Sequence, residues 1–434
     1  MRPGQNFSDS YYRNRFESMF EHLRSLSGDG IGVTRASYGR AETLCLEYIA
    51  GLAAEAGLQV AYDAAANLVV TLPGREPGLP ALAAGSHMDS VPQGGNYDGA
   101  AGIVAGLMCL ARLRFEGRVP PRTLKLFGFR GEESAWFGKT YLGSLALFGK
   151  LSLHDLERPQ RDSGLPLKHY LQELGADLAR IGSGTPLLDP KSIAAYYELH
   201  IEQGPAMVAR QVPVGVVTGI RGNVRHLRIV CRGAAGHSGA VPRWLRQDPV
   251  FALADLLVRL DEHWQTLQNQ GVDLVVTSGI VQTNAAEHAL SRIPGEVAFS
   301  LEFRSQSLQT LEEFHQLVLR ECANVTRNRR VDFEFDEKIL TLPGEIAPDL
   351  VRRLAGICEE LQVPYIEIPS GAGHDAAVFA TNGVPSAMIF IRNEHGSHNP
   401  EEAMDLEDFV LGAEVLFEAL TREPAAAPGK IGPV

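Results

Sequence analysis

The sequence predicts an α/β fold: a mostly parallel sheet with helices on both faces, interrupted by an inserted α+β unit. Three observations carry this. Up to about residue 212, helical patterns alternate with short apolar runs. Two later runs alternate strictly between apolar and polar residues. After about residue 330 the buried style returns. Alternating helix and strand patterns imply a sheet covered on both faces. Strict alternation implies strands with one wet face, as in an antiparallel sheet.

Taken in order, residues 35–57 read as a helix with Leu44, Tyr48, Leu52 and Ala53 on one face. Strands follow at about 58–62, 67–72 and 81–87. Residues 99–114 are apolar on every side and read as a buried helix. "RTLKLFGF" (122–129) and "SIAAYYELHI" (192–201) read as buried strands. In "VRHLRIVCRG" (224–233), Leu227, Ile229 and Cys231 fall on one face and Arg228, Val230 and Arg232 on the other. "EVAFSLEFR" (296–304) sets Val297, Phe299, Leu301 and Phe303 against Glu296, Ser300, Glu302 and Arg304. Amphipathic helices fit at 249–268 and 308–325, and "SAMIFI" (386–391) is a final buried strand. The tail "EPAAAPGKIGPV" is rich in Pro, Gly and Ala and is expected to be loose. The expected division is a discontinuous α/β domain, 1–212 with 329–434, and an insert at 213–328.

Composition bounds the reading. At 434 residues the chain exceeds one ordinary domain. With 45% hydrophobic and 21% charged residues it can build a sizeable core. A net charge of −12 argues against nucleic acid and against an anionic membrane as partners. No apolar run reaches membrane-spanning length, and the first residues lack the apolar core of a signal peptide. The cysteines (Cys45, Cys109, Cys231, Cys322, Cys358) have no paired spacing and are expected to be reduced and buried, in a cytoplasmic protein.

The chemistry gathers where strands end. "GSHMDSVPQGGNYDGAAG" (85–102) puts His87, Asp89 and Asp98 on a glycine-rich turn behind a buried strand. Imidazole and carboxylate suit zinc, and also manganese, cobalt or nickel. In His-x-Asp, Asp89 can hold the second nitrogen of His87, and the two oxygens of Asp98 can bridge two cations. "FRGEESAWFG" (129–138) carries the adjacent pair Glu132 and Glu133, which is costly to bury without a cation or a shared proton. "YELHIEQGP" (197–205) carries His200, Glu202 and Gln203. "SGAGHDAAVFA" (370–380) and "IRNEHGSHNPEEAM" (391–404) add histidines on glycine turns. Each stretch alone also fits a polar turn or a satisfied core histidine. Five such loops around one sheet fit a hydrolytic site with two cations and a spare carboxylate as base.

The ordered set "GSHMDSVPQGGNYDGAAGI", "GEES", "ELHIEQGP", "GAAGHSGAVPRWLRQD", "SGAGHDA" and "GSHNPEE" resembles the N-carbamoyl-L-amino acid amidohydrolases, allantoate amidohydrolases and β-ureidopropionases. These form the hydantoinase/carbamoylase branch of the dinuclear zinc aminoacylase and carboxypeptidase (metallopeptidase) family. The resemblance runs from about residue 30 to Met404. "ELHIEQGP" marks the branch, because the peptidase relatives usually carry an acidic ligand at the position of His200.

The resemblance implies a zinc-exopeptidase-like metal-binding catalytic domain and an open-faced sandwich that serves as lid and dimerisation domain. It implies two divalent ions per subunit, with zinc first and manganese, cobalt or nickel as alternatives. His87, Asp98 and His200 would hold one; Asp98, Glu133 and His398 would hold the other. Glu132 would be the general base acting on a cation-activated water, and Asp89 would orient His87. Gln203, His237, Ser291, Arg304, Gly373 and His374 would face the substrate, with His237 near the developing oxyanion. A homodimer with shared sites is implied, as is a small carbamoyl or ureido substrate. The chain departs from the family pattern at Ser291, where an asparagine is usual, at Arg243 for methionine, and at Glu302 for aspartate. The implied activity is hydrolysis of the ureido C–N bond of an N-carbamoyl-L-amino acid or a ureido acid such as allantoate. The alternatives are an N-acyl amino acid amidase, a metallo-exopeptidase, or a non-catalytic binding protein that keeps the fold.

Overall fold

The computed structural model describes residues 6–422. The expected loose tail, 423–434, lies outside the described residues. The chain divides into two compact units: one runs up to Thr218 and resumes at Glu345, and the other is Gly219–Gly344. Among the described residues no helix is long and apolar enough to cross a membrane.

The first unit is built on an eight-stranded sheet. Its order is Gln59–Tyr62, Leu68–Leu72, Leu124–Phe129, Ala81–His87, Ile193–Ile201, Ser386–Ile391, Val214–Ile220, Tyr365–Ser370. The central strands Leu124–Phe129, Ala81–His87, Ile193–Ile201 and Ser386–Ile391 run parallel. Antiparallel strands flank them. All residues of Ala81–His87 and Ser386–Ile391 are buried, as the apolar runs require of strands covered on both faces. The helix Ala100–Phe115 is buried through all but its last two residues. The helix Arg40–Glu55 buries Cys45, Leu46, Ile49 and Ala53. Leu44, Tyr48 and Leu52, expected to form that face, flank it instead.

An N-terminal helix, Ser10–Ser27, was not evident in the apolar pattern because charged residues punctuate it. It buries Tyr12, Phe16, Met19, Phe20 and Leu23 at helical spacing, and Asp9 caps its start. Phe16 and Phe20 meet Phe409 of the last helix, Leu406–Thr421, edge to face.

The second unit is an antiparallel sheet with the helices Pro249–Asn269 and Leu308–Arg329 packed on it. The strand order is Val281–Gln282, Glu296–Ser305, Gly222–Arg232, Asp332–Glu334. Ile339–Thr341 also pairs with Gly222–Arg232. These last short strands carry the unit to Gly344 rather than to the expected 328, because their partner lies within the insert. Entry and exit are tied together: Ile220 N–H donates to Gly344 O at 3.1 Å, and Gly344 N–H to Ile220 O at 2.9 Å.

The expected alternation of 224–233 breaks at a β-bulge. Phe299 pairs with Ile229, but Leu301 pairs with His226, so Leu227 and Arg228 together face Ser300. The extra residue flips the parity: Leu227 is 60% exposed and His226 is buried. Asp336 Oδ2 accepts both freed N–H groups of the bulge, at 2.8 and 2.9 Å. Val230, expected on the wet face, is buried between Ala298 and Glu334 of the adjoining strands.

Candidate active site

Parallel central strands end at one edge of their sheet, where ligands collect in open α/β folds. His87 closes its strand, His200 lies one residue from the end of the next, and the loop after Leu124–Phe129 carries Glu132 and Glu133. The loop behind Ser386–Ile391 carries His398. Two groups result, His87–Asp98–His200 and Asp98–Glu133–His398; within each, the potential ligand atoms lie inside 4.8 Å of one another. Asp98 belongs to both. Its Oδ1 is 3.3 Å from His87 Nε2 and 3.2 Å from His200 Nε2. Its Oδ2 is 3.5 Å from His398 Nε2, which is 3.1 Å from Glu133 Oε1.

The donor set fits cations. His87 Nδ1 lies 3.0 Å from the Asp89 carbonyl, and His200 Nδ1 2.9 Å from the Ile201 carbonyl. Each carbonyl accepts an N–H, which leaves the Nε2 lone pairs aimed at Asp98. Gly99 N–H donates to His200 Nε2 at 3.1 Å, in keeping with that tautomer. Asp98 Oδ1 is buried with no hydrogen-bond partner. Lone pairs then face a carboxylate oxygen, an arrangement that calls for positive charge between them. Protons show the same demand. Burial opposes charge on His87, yet the carboxylates of Asp89, Asp98 and Glu132 hold it well above its ordinary value. Burial would raise Asp98, but His200 and His87 hold it well below.

Glu132 stands beside these groups without joining them. It is 7% exposed. Burial pushes its carboxyl well above the usual range; His87 opposes this, and Glu133, Asp375 and Asp89 add to it. Its backbone N–H donates to Asp89 Oδ1 at 3.0 Å and that of Glu133 to Asp89 Oδ2 at 3.1 Å, while Ser37 Oγ donates to Oδ2 at 2.6 Å. Asp89 was expected to orient His87. The ring nitrogen is nearer the Asp89 carbonyl than Oδ1, which is 3.5 Å away.

Gln203, at φ +64°, donates from Nε2 to Asp98 Oδ2 at 2.8 Å. Its backbone N–H is held by Asn393 Oδ1 at 2.9 Å. His374 is buried, its Nε2 2.9 Å from Ser370 Oγ and its ring 4.5 Å from that of His200. Burial, with His200 beside it, keeps it well below its ordinary value. Gly373 packs against Tyr141, and a Cβ there would overlap the tyrosine hydroxyl. Tyr141, Ser37, Asn393 and Glu402 were missed by sequence reasoning. Of these, Asn393 and Glu402 lie inside the stretch "IRNEHGSHNPEEAM".

In the insert, the two-residue strands Gly236–His237 and Arg292–Ile293 pair, and Ser238 N–H donates to the Ser291 carbonyl at 2.8 Å. His237 and Ser291 are thus brought together, and both are exposed. Arg304 is not with them. It lies opposite Asn223, whereas Glu296 lies opposite Arg232. A strand length of roughly 27 Å separates Arg304 from the end where the chain passes on to His237. Arg304 NH2 reaches Glu302 at 3.0 Å, and Glu302 also takes Arg225 at 2.5 Å.

Residues 83–422 match a model of peptidase family M20/M25/M40. An N-carbamoyl-L-amino-acid amidohydrolase of Paenarthrobacter aurescens is 31% identical over 94% of this chain and 97% of its own. An allantoate amidohydrolase of Escherichia coli K12 is 28% identical over 94% of this chain and 97% of its own. The crystal structure of a hydantoinase/carbamoylase family amidase from Burkholderia multivorans superposes with a TM-score of 0.84. It is 26% identical, covering 94% of this chain and 97% of that one.

Proposed function

Because the chain belongs to peptidase family M20/M25/M40, we propose that it is a metal-dependent amidohydrolase of the carbamoylase branch, cleaving the ureido C–N bond of an N-carbamoyl-L-amino acid or a ureido acid such as allantoate. The observation that carries this is the pair of histidine–carboxylate groups sharing Asp98, with the buried, unligated Glu132 at their side. The relatives named above act on such bonds by their names.

In this reading His87, Asp98 and His200 hold one divalent ion and Asp98, Glu133 and His398 a second, zinc in the first instance. Such ions acidify water and polarise the ureido carbonyl. Glu132 takes a proton from the attacking water and returns it to the departing nitrogen, a role that suits its raised affinity for protons. His237 donates to the oxyanion that develops on the ureido carbonyl. Arg304 pairs with the substrate carboxylate, and Gln203, Ser291 and the Gly373–His374 turn line the rest. Hydrolysis yields the free amino compound and carbamic acid, which falls to carbon dioxide and ammonia.

The reading includes a cytoplasmic homodimer in which His237 and Ser291 of one copy serve the metal centre of the other. Three features support it. A strand of roughly 27 Å keeps Arg304 from His237 within one insert, farther than a small ureido acid spans. The insert's outer strand and the residue before it expose Val281 and Ile280, 54% and 56% accessible, and Leu290 beside Ser291 is fully exposed. Apolar sheet edges are commonly covered by pairing across a two-fold axis. The cysteines are free and buried, in keeping with a reducing compartment.

The test is a panel of N-carbamoyl amino acids, allantoate, ureidoglycolate and N-acyl amino acids, assayed with zinc, manganese, cobalt or nickel. Ammonia release from a carbamoyl or ureido acid is expected. Hydrolysis of N-acyl substrates alone, with no ammonia from any ureido compound, would give the acyl-amidase reading instead.

A further inference from the structure

One buried carboxylate joins two loops that lie far apart in sequence and meet at Asp98. Glu402 is 3% exposed. Its Oε1 accepts the backbone N–H of Tyr97 at 2.8 Å and that of Asp98 at 3.3 Å. The Ser397 hydroxyl sits between Glu402 Oε2, at 2.8 Å, and Asp98 Oδ2. The fit against the first loop is close, since a Cβ on Gly95 would overlap the Glu402 carboxyl.

The second loop needs holding. His395 and His398 have φ of +63° and +62°, values a non-glycine residue keeps only where its surroundings impose them. His87 and His200 each have a ring nitrogen anchored on a main-chain carbonyl. The His398 side chain is 50% exposed and meets Asp98 and Glu133, the groups that would share its cation. Its neighbour Ser397 is where the loop is tied down.

We propose that Glu402 is a positioning residue that fixes the loop of Asp98 against the strained loop of His398. It thereby sets the affinity of the Asp98–Glu133–His398 position more than that of His87–Asp98–His200. The proposal rests on the reading that both groups hold cations. Loss of Glu402 leaves the carbonyl anchors of His87 and His200 in place but removes the carboxylate that ties Ser397 to the backbone of Tyr97 and Asp98, leaving the Ser397 hydroxyl its contact with Asp98 Oδ2 alone.

Calorimetric titration of the chelator-stripped protein with Zn²⁺ alone tests this, with thermal unfolding as control. The wild type should take two equivalents. Fewer than two would overturn the two-cation reading, and the proposal with it. Glu402→Gln and Glu402→Ala should bind the second equivalent about 10–100-fold more weakly, Ala the worse, with the first changed by less than about threefold. Ser397→Ala should give the same selective loss. A wild type with two equivalents, beside variants that lose stability yet bind both unchanged or weaken both equally, would overturn the proposal alone. If Glu402→Ala fails to fold, Glu402→Gln and Ser397→Ala carry the comparison.

Discussion

The carboxylate of Asp89 holds the backbone of Glu132, accepting its N–H at 3.0 Å on one oxygen while the other takes Glu133 at 3.1 Å. His87 leans on the Asp89 carbonyl instead. Asp89→Asn therefore keeps the group nearest His87 and turns one acceptor into a donor facing an N–H. Turnover should fall about 10–100-fold while zinc content stays near wild type. Wild-type turnover at saturating zinc, with zinc affinity lost, would mean that Asp89 serves His87 after all.

Glu132 has no part in either ligand group. Glu132→Gln should keep both cations and lose roughly 10²-fold or more in kcat, the usual worth of a placed general base. Metal analysis beside steady-state kinetics checks it. A fully metallated variant with unchanged kcat would move the base elsewhere.

Arg304 is already engaged by Glu302. On the proposed reading, removing the arginine deprives a substrate carboxylate of a two-pronged partner, so Arg304→Ala should raise KM for acidic substrates with a smaller change in kcat. Ser291→Asn should lower KM for simple carbamoyl amino acids by supplying an amide donor. If KM stays put in both, other groups read the carboxylate, and Arg243 is the first to substitute.

Shared sites predict complementation. Glu132→Gln chains and His237→Ala chains should each be inactive, yet regain activity when mixed under subunit exchange. A mixed dimer has one site with both residues intact. If each chain uses its own His237, every site keeps a lesion and nothing returns. A monomer by light scattering at working concentration would rule the arrangement out.

A buried histidine pair in the insert gives acid sensitivity. His226 Nε2 is 3.1 Å from His315 Nε2, and His226 Nδ1 is 3.0 Å from Asp336 Oδ1. Burial lowers the His315 value, and the charges of Lys338 and His226 lower it further. The folded chain then binds fewer protons here than the unfolded chain. This stabilisation is full above the unfolded value of about 6.5 and is lost as pH falls below it. The urea midpoint should drop between about pH 7 and pH 5, and His315→Phe should show a shallower drop. Parallel curves would remove His315 as a source.

The side chains that gather in the two histidine–carboxylate groups were legible because ligand-type residues followed buried strands, and parallel strands of one sheet share an end. The division of the adjacent pair into Glu133 as ligand and Glu132 as base came only from the family resemblance. Parity was legible in Glu296–Ser305 but failed at Leu227, because a bulge is a matter of pairing and leaves no mark on one strand's own pattern. The end of the insert was misplaced because Asp332–Glu334 and Ile339–Thr341 are only three residues each, too short to express a period. Glu402 acts on backbone N–H groups, which any residue supplies, so no spacing of side chains betrays it. His-x-Asp placed Asp89 beside His87 but does not say which oxygen the ring meets: the carbonyl lies at 3.0 Å and Oδ1 at 3.5 Å.

The reciprocal hydrogen bonds of Ile220 and Gly344 have a consequence for the chain as a polymer. An antiparallel pair of this kind holds its Cα atoms about 5.5 Å apart. Everything from Gly219 to Gly344 therefore leaves and re-enters at nearly one point, and the closure entropy that otherwise grows with loop length is met inside the insert's own sheet. For the remaining chain, the excursion is equivalent to a tight turn. Exchanging it for a two-residue turn opens no gap, so a version lacking the insert is one deletion away.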